Sequence, residues 1–97
     1  MAPPVSRLTD TGSGHDSFPS TVVISASSNT SVNSLLVARH GDALEPHGSP
    51  SPSPKHDRAI CGHSEKTTVN SKGAARIGDA ICCGGLLVTG SGNTVFG

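Results

Sequence analysis

The pattern of apolar and polar residues predicts short strands and many turns. Apolar residues occur in brief runs, at 22–24, 35–38 and 86–88, and clusters of Gly, Ser, Thr and Asn separate these runs. Such clusters favour turns, and short apolar runs between them are typical of strands. No apolar stretch approaches the roughly 20 residues of a transmembrane helix. We therefore expect an all-β domain.

The same pattern recurs along the chain. Segment 30–42 matches segment 67–79 at a constant offset of 37, with Thr, Val, Asn, Ser, Ala, Arg, Gly and Asp in place. The strand before it, 21–25, matches 85–89 at an offset of 64 and matches 58–62 more weakly at 37. Each repeat is thus predicted as a strand, a turn, a strand, a corner and a Gly-Asp loop. The predicted hairpin turns are 26–29, 63–66 and 90–93.

A third copy is split between the two ends of the chain. Segment 93–97 begins this copy, and segment 7–10 completes it. The chain ends must then lie side by side. We expect one domain, 1–97, of three β-hairpin repeats around a pseudo-threefold axis, with loops at one end and hairpin turns at the other. A Ser/Pro-rich loop at 48–55 is inserted in the middle repeat.

Composition indicates a domain that needs support beyond its core. The chain has 97 residues, of which 33% are hydrophobic, with two Phe and no Trp or Tyr. Small cores of this kind often require a metal or a partner. A net charge of zero without a basic run gives no basis for nucleic-acid binding. Three Cys and no visible signal peptide argue against a disulfide framework and favour synthesis in a reducing cytoplasm.

Possible metal ligands follow the Asp of every repeat. The spacing from Asp to ligand is five residues twice and four residues once. A fourth candidate falls at the same repeat position as the cysteine when counted back from the next strand. The predicted ligands are His15, His47, His56 and Cys83. Three imidazoles and one thiolate form a closed tetrahedral set that suits Zn²⁺ in a structural role.

Other His and Cys residues compete for these roles. His63 aligns with the hairpin turns and is expected at the opposite end, although it or Cys61 remains an alternative to His56 as fourth ligand. Cys61 aligns with Ile24 and Val88 and is predicted to be a small buried residue. His40 is predicted to be partly buried, and Cys82 to point away from its neighbour Cys83. Iron remains an alternative to zinc.

An Arg and an Asp recur in every repeat, three residues apart. We expect these side chains to pair with each other or to bond nearby backbone groups. A role in orienting the His ligands is the alternative. The residues are Arg7, Arg39 and Arg76, with Asp10, Asp42 and Asp79.

Segment 73–79, Gly-Ala-Ala-Arg-Ile-Gly-Asp, carries a resemblance to a known family. Together with Cys-Gly-Gly at 83–85 and the strand and turn through 89–97, it resembles the PAAR-repeat proteins. Gly73 stands where that family has its Pro, and Thr9 stands where Gly is usual.

The resemblance implies a conical monomer with zinc near its apex, typically held by three His and one Cys. It also implies that one monomer caps a trimeric β-helical spike in a contractile injection machine, and touches the target-cell envelope during membrane puncture. The machine is a phage tail, with the tip on the virion baseplate, or a type VI secretion system. With no fused domain visible, the phage tail tip is favoured over an effector-adaptor tip.

Two other classes of function fit less well. A metalloenzyme needs an open coordination position and a general base, and four protein ligands would close the site. A Cys-His hydrolase that uses Cys83 lacks a pocket-forming segment. A small zinc-binding interaction module predicts Cys-x-x-Cys pairs and basic charge, which are absent. We therefore predict no enzyme activity and no small-molecule substrate.

Overall fold

A computed structural model describes residues 2–14, 19–47, 56–82 and 84–97. The described chain forms four two-stranded antiparallel sheets, which pair β1 with β2, β3 with β4, β5 with β6 and β7 with β8. The strands are β1 (Thr11–Gly12), β2 (Thr21–Val22), β3 (Ser31–Val32), β4 (Leu35–Leu36), β5 (Ala43–His47), β6 (His56–Ala59), β7 (Thr68–Val69) and β8 (Lys72–Gly73). These strands confirm the all-β prediction. Within the described ranges no helix is long and apolar enough to cross a membrane.

A closed ring of backbone hydrogen bonds defines the pseudo-threefold axis. The amide of Ser6 donates to the carbonyl of Ala75 (3.0 Å), Ala75 donates to Ala38 (3.0 Å), and Ala38 donates back to Ser6 (3.1 Å). These three residues occupy equivalent repeat positions. Equivalent positions are related by offsets of 37 and 64, or by 32 across the chain ends, as Arg39 is to Arg7. The ring confirms the predicted threefold arrangement.

The hydrophobic core consists of equivalent residues stacked along this axis. Most layers take one side chain from each repeat, and nearly all of these side chains are buried. The layers are Val23, Ile60 and Leu87; Val5, Val37 and Ala74; and Val32, Val69 and Phe96. One layer is asymmetric, because Gly12 stands where the other repeats have Leu44 and Ile81. A Cβ at Gly12 would overlap both of those side chains, so two larger residues fill the space of three.

The hairpins pair the two strands that follow each predicted turn segment, rather than the strands on either side of it. The β3–β4 turn is Asn33-Ser34, with φ of 55° and 67°, and the β7–β8 turn is Asn70-Ser71, with φ of 54° and 66°. Two consecutive positive φ angles match the right-handed twist of a tight hairpin, and Asn tolerates them well. The prediction that 26–29 forms the hairpin turn was wrong. The strand before that segment pairs instead with the preceding loop, as β2 does with β1.

Segments 26–29, 63–66 and 90–93 are corners built around a buried serine. The Ser27 hydroxyl accepts the backbone amides of the residues two and three positions later, at 3.2 and 3.0 Å. Ser64 and Ser91 make the same pair of bonds in the other repeats. The hydroxyl satisfies backbone donors that a hairpin ladder would otherwise take.

The two chain ends form the third hairpin together. Pro4 bridges Val95, and the Val5 amide donates to the Thr94 carbonyl at 3.0 Å. The Phe96 amide in turn donates to the Pro3 carbonyl at 3.2 Å. These bonds match those of the β3–β4 hairpin and confirm that the ends lie side by side. The inserted segment 48–55 lies outside the described residues.

Candidate metal centre

The four predicted ligands lie largely outside the described part of the structure. His15 and Cys83 are not among the described residues, and neither are the side chains of His47 and His56. The backbones of His47 and His56 are direct partners in the β5–β6 register. Two of the four positions are therefore adjacent across one antiparallel pair.

The guanidinium of Arg58 joins the segments that flank the other positions. Arg58 is only 2% exposed. Its Nη2 donates to the carbonyls of Ser13 and Gly84, the latter at 3.2 Å. Ser13 lies two residues before His15, and Gly84 directly follows Cys83. The backbones beside three predicted ligand positions therefore meet at one buried cation, since Arg58 itself is two residues after His56.

Arg58 fills the threefold axis from a single repeat. Its equivalents are Thr21 and Gly85. Nη1 donates to Thr21 Oγ1 at 2.9 Å and to the Gly12 carbonyl at 3.4 Å. Gly85 has φ of 96°, and a Cβ there would lie 2.7 Å from Arg58 Nη2. Arg58 therefore contributes a long side chain to the space at the axis, Thr21 a short one and Gly85 none. Three long side chains would overfill this space.

Sequence reasoning missed Arg58. The repeat alignment contained a signal for it. Arg58 is a cation at the position that Thr21 and Gly85 hold in the other repeats, in a predicted strand with apolar residues beside it. A buried guanidinium needs several acceptors, and backbone carbonyls at loop ends supply them.

The donor set and the converging backbones fit a structural zinc ion. Three imidazoles and one thiolate are ligands that zinc prefers, and they fill a tetrahedron. The residues that would hold the ion are His15, His47, His56 and Cys83. Among the described residues alone, no three His, Cys, Asp or Glu are grouped to hold a metal.

The alternative fourth ligands have other partners. His63 lies in its corner segment, where Nδ1 is 2.8 Å from the Ser64 carbonyl oxygen. Its ring packs on that of His40, with centroids 4.6 Å apart. His40 is exposed rather than partly buried as predicted.

His63 occupies the space that a side chain at position 73 would need. A Cβ at Gly73 would overlap the His63 ring and lie 2.7 Å from the Ser64 carbonyl oxygen. At the equivalent positions of the other repeats the sizes are reversed: Leu36 and Pro4 correspond to Gly73, and Ala26 and Gly90 correspond to His63. The replacement of Pro by Gly in the Gly-Ala-Ala-Arg segment therefore accompanies a large residue at 63.

Cys61 and Cys82 form a disulfide, with their Cα atoms 5.3 Å apart. The prediction that Cys61 is buried was wrong, and this bond runs against the expectation of a chain without a disulfide framework. Both cysteines are exposed, as are the residues equivalent to Cys61, since Ile24 is 48% and Val88 47% exposed. These apolar positions face outward, so a cysteine there can reach one on the neighbouring repeat. The bond joins the segment just after β6 to the residue before Cys83.

The recurring Arg and Asp form three equivalent ion pairs, as predicted. Their closest distances are 2.8 Å for Arg7–Asp10, 2.9 Å for Arg39–Asp42 and 2.9 Å for Arg76–Asp79. Each Asp also accepts the backbone amide of its own Arg at 2.8 Å.

The hydrogen bond to Asp, reinforced by its charge, raises the pKa of all three arginines. A raised folded-state pKa adds stability that is fully present below the ordinary pKa of arginine and is lost only as the pH rises through the folded-state value. The three arginines therefore stay charged at physiological pH, and their pairing with Asp holds the corner of each repeat.

The sequence of the chain matches a known protein family. The profile of the PAAR motif matches residues 13–89. No curated protein matches the chain significantly in sequence. The matched segment contains all four predicted ligand positions, Arg58 and two of the three Arg–Asp pairs. Since it also spans most of the sequence, the chain belongs to the PAAR-motif family.

Proposed function

We propose that this protein is a structural tip that caps the trimeric β-helical spike of a contractile injection system. Membership of the PAAR-motif family associates the chain with spike tips. The observation that carries the proposal further is the closed ring of Ser6, Ala38 and Ala75. A single chain with internal threefold symmetry can present equivalent groups to three identical subunits at once.

The end that carries the hairpin turns is the face we assign to the spike. It presents two tight turns, Asn33-Ser34 and Asn70-Ser71, and the split hairpin of the chain ends. A trimeric β-helix ends in unpaired strand edges, which a threefold cap covers. One tip then binds one trimer. The opposite end meets the target-cell envelope during puncture.

The proposed zinc acts as a staple at the loop end. The ligands would be His15, His47, His56 and Cys83, and a closed four-ligand set supplies folding stability rather than catalysis. Among the described residues at this end, Arg58 and its carbonyl acceptors connect the loops by polar contacts. A staple at this end would suit a tip that is driven through a membrane.

Metal analysis tests the staple. Purified protein should contain about one zinc per chain, as expected for one tetrahedral site. His56→Ala should release the metal and lower the melting temperature, whereas His63→Ala should retain it. Retention by His56→Ala with loss by His63→Ala would overturn the ligand assignment. Equal stability of metal-free and zinc-loaded protein would overturn the staple.

Co-expression with a candidate trimeric spike tests the cap. Native mass spectrometry should give one tip per trimer. A complex of three tips per trimer would contradict the symmetry argument, and no association with any spike of the same tail or secretion cluster would contradict the function. The protein is proposed to lack enzyme activity in either a phage tail or a type VI system.

A further inference from the structure

The backbone around the Cys61–Cys82 disulfide is paired independently of that bond. The amide of Cys61 donates to the carbonyl of Ala80 at 2.9 Å, and the amide of Cys82 donates to the carbonyl of Ala59 at 2.8 Å. The two Cα atoms lie 5.3 Å apart, inside the range that a disulfide requires. The fold therefore brings the two cysteines together whether they are thiols or a disulfide.

The other two repeats form the same junction without cysteines. The amides of Ile24 and Val88 make the backbone bond that Cys61 makes, each at 2.9 Å. The pairs equivalent to Cys61 and Cys82 are Ile24 with Glu45 and Val88 with Ser13. Since two of three junctions form without a covalent bond, folding of the third does not depend on one.

Both cysteines are exposed at the surface. Thiol–disulfide exchange proceeds by direct attack on a sulfur atom, so it requires this access. Exposed disulfides are in general the labile ones. A reducing cytoplasm, where we expect this chain to be made, keeps such cysteines as thiols. The bond between Cys61 and Cys82 is thus conditional on the surroundings of the chain.

The disulfide ends beside a loop whose backbone has unusual freedom. Cys82 is followed by Cys83, Gly84 and Gly85, and the two glycines have φ of 119° and 96°. Glycine loses more conformational freedom on ordering than any other residue. Arg58 ties this loop to β6 by a hydrogen bond to the Gly84 carbonyl at 3.2 Å. The disulfide adds a covalent tie between the same two segments.

We propose that Cys61 and Cys82 form a redox lock, a pair that is reduced in the folded chain inside a reducing compartment and closes when the chain meets a disulfide oxidant. Closure fixes the loop after Cys82 to the segment after β6. That the chain reaches an oxidising compartment rests on the proposed function, in which the tip leaves the cell that made it. The lock itself rests on the two cysteines and their paired backbone.

The closing reaction is an ordinary two-step exchange. The thiolate of one cysteine attacks the S–S bond of the oxidant, forms a mixed disulfide and releases one thiol. The second cysteine then attacks the sulfur of the first, forms the protein disulfide and releases the second thiol. The two cysteines together lose two electrons and two protons, and the oxidant gains them as its two thiols.

A redox titration tests whether the pair closes as proposed. The full chain with added zinc would be equilibrated in buffers of increasing glutathione disulfide over glutathione, quenched with acid, unfolded, alkylated and mapped by peptide mass spectrometry. Oxidant should link Cys61 to Cys82 and leave Cys83 alkylated, and excess glutathione should reverse the link. A bond that includes Cys83, or no bond at any ratio, would overturn the lock.

Thermal unfolding of the two redox forms measures what closure does. A cross-link between residues 21 apart in sequence should raise the melting temperature by about 12–24 °C. Cys61→Ile and Cys82→Ser install the residues that Ile24 and Ser13 represent in the other repeats. Both variants should melt with the reduced form in either buffer. Equal melting of the two forms would overturn the lock, as would a reduced chain that does not unfold cooperatively.

The relation to the proposed metal centre is tested in a separate arm. Closure fixes the residue before the predicted ligand Cys83, so zinc should pass to a chelator several-fold more slowly from the oxidised chain. Equal release rates, together with the melting difference, would overturn this coupling and support the lock. A melting difference in a chain that binds no zinc would overturn the metal centre and support the lock. Spike binding enters neither measurement, so a failure of the cap and a failure of the lock are distinguishable.

Discussion

Replacing Arg58 with Met tests whether one buried cation holds the loop end together. Met keeps much of the length of the side chain and removes every donor. The carbonyls of Gly12, Ser13 and Gly84 and the Thr21 hydroxyl would each lose a partner. Two of these acceptors, Ser13 and Gly84, lie in segments beside predicted ligands, so both stability and metal affinity should fall.

The magnitude follows from the number and kind of bonds. A hydrogen bond to a charged group contributes about 1.5–3 kcal/mol, but bonds to one guanidinium are not additive. Removing one side of a buried polar network typically costs about 3–5 kcal/mol. For a domain of this size, each kcal/mol lowers the melting temperature by about 4–8 °C, so we expect a decrease of at least about 12 °C.

Thermal unfolding followed by circular dichroism, with zinc and with chelator, measures the effect. Lys72→Met is the control, since it removes an exposed cation of similar length. Arg58→Lys should give an intermediate loss, because it keeps the charge with fewer donors. A variant within about 1 kcal/mol of the control would refute the reasoning. Tighter zinc binding in Arg58→Met would mean that repulsion between the cation and the metal outweighs loop positioning.

Three further substitutions test the repeat. Thr9 has φ of 74°, a conformation that costs a non-glycine residue about 1 kcal/mol. Thr9→Gly should therefore raise the free energy of unfolding by about that amount in urea titrations, and an unchanged value would contradict the strain. Gly73→Leu should destabilise the chain by about 1–3 kcal/mol, and His63→Ala should partly restore it, giving a non-additive double-mutant cycle; additive effects would mean the two positions do not compete for space. Asp42→Asn should cost about 1.5–3 kcal/mol, equally at pH 6 and pH 9 because Arg39 stays charged; a loss confined to one pH would point to another group.

The repeat could be predicted from sequence because each pair of matching segments keeps a single offset along its length. Equivalent residues then had to share environments, which placed Arg7 beside Asp10 and the chain ends beside each other. The same symmetry predicts that the four ligand positions lie at one end, and within the described ranges the backbones of His47 and His56 are paired. Their coordination stays a prediction, since those side chains lie outside the described structure.

Side-chain direction could not be predicted in the same way. Val22, Val23 and Ile24 are all apolar, yet they are 38%, 1% and 48% exposed. Alternation along a strand sends neighbours to opposite faces, but an unbroken apolar run hides which face is buried. The outward position of Cys61, and hence its disulfide, followed from this hidden alternation. The pairing of the hairpins depended on the turns Asn33-Ser34 and Asn70-Ser71. Their sequence signal was weaker than that of the corner segments 26–29 and 90–93.

The split hairpin at the chain ends also makes the starting point of the chain interchangeable. Phe96 and Pro3 occupy the positions that Val32 and Leu35 hold on either side of the Asn33-Ser34 turn. Joining Gly97 directly to Ala2 would therefore produce a two-residue turn of the same length. A circular permutant closed there and opened between Asn70 and Ser71 would preserve every strand pairing except the one through its new ends. The order of the three repeats in the gene is thus separable from their order around the axis.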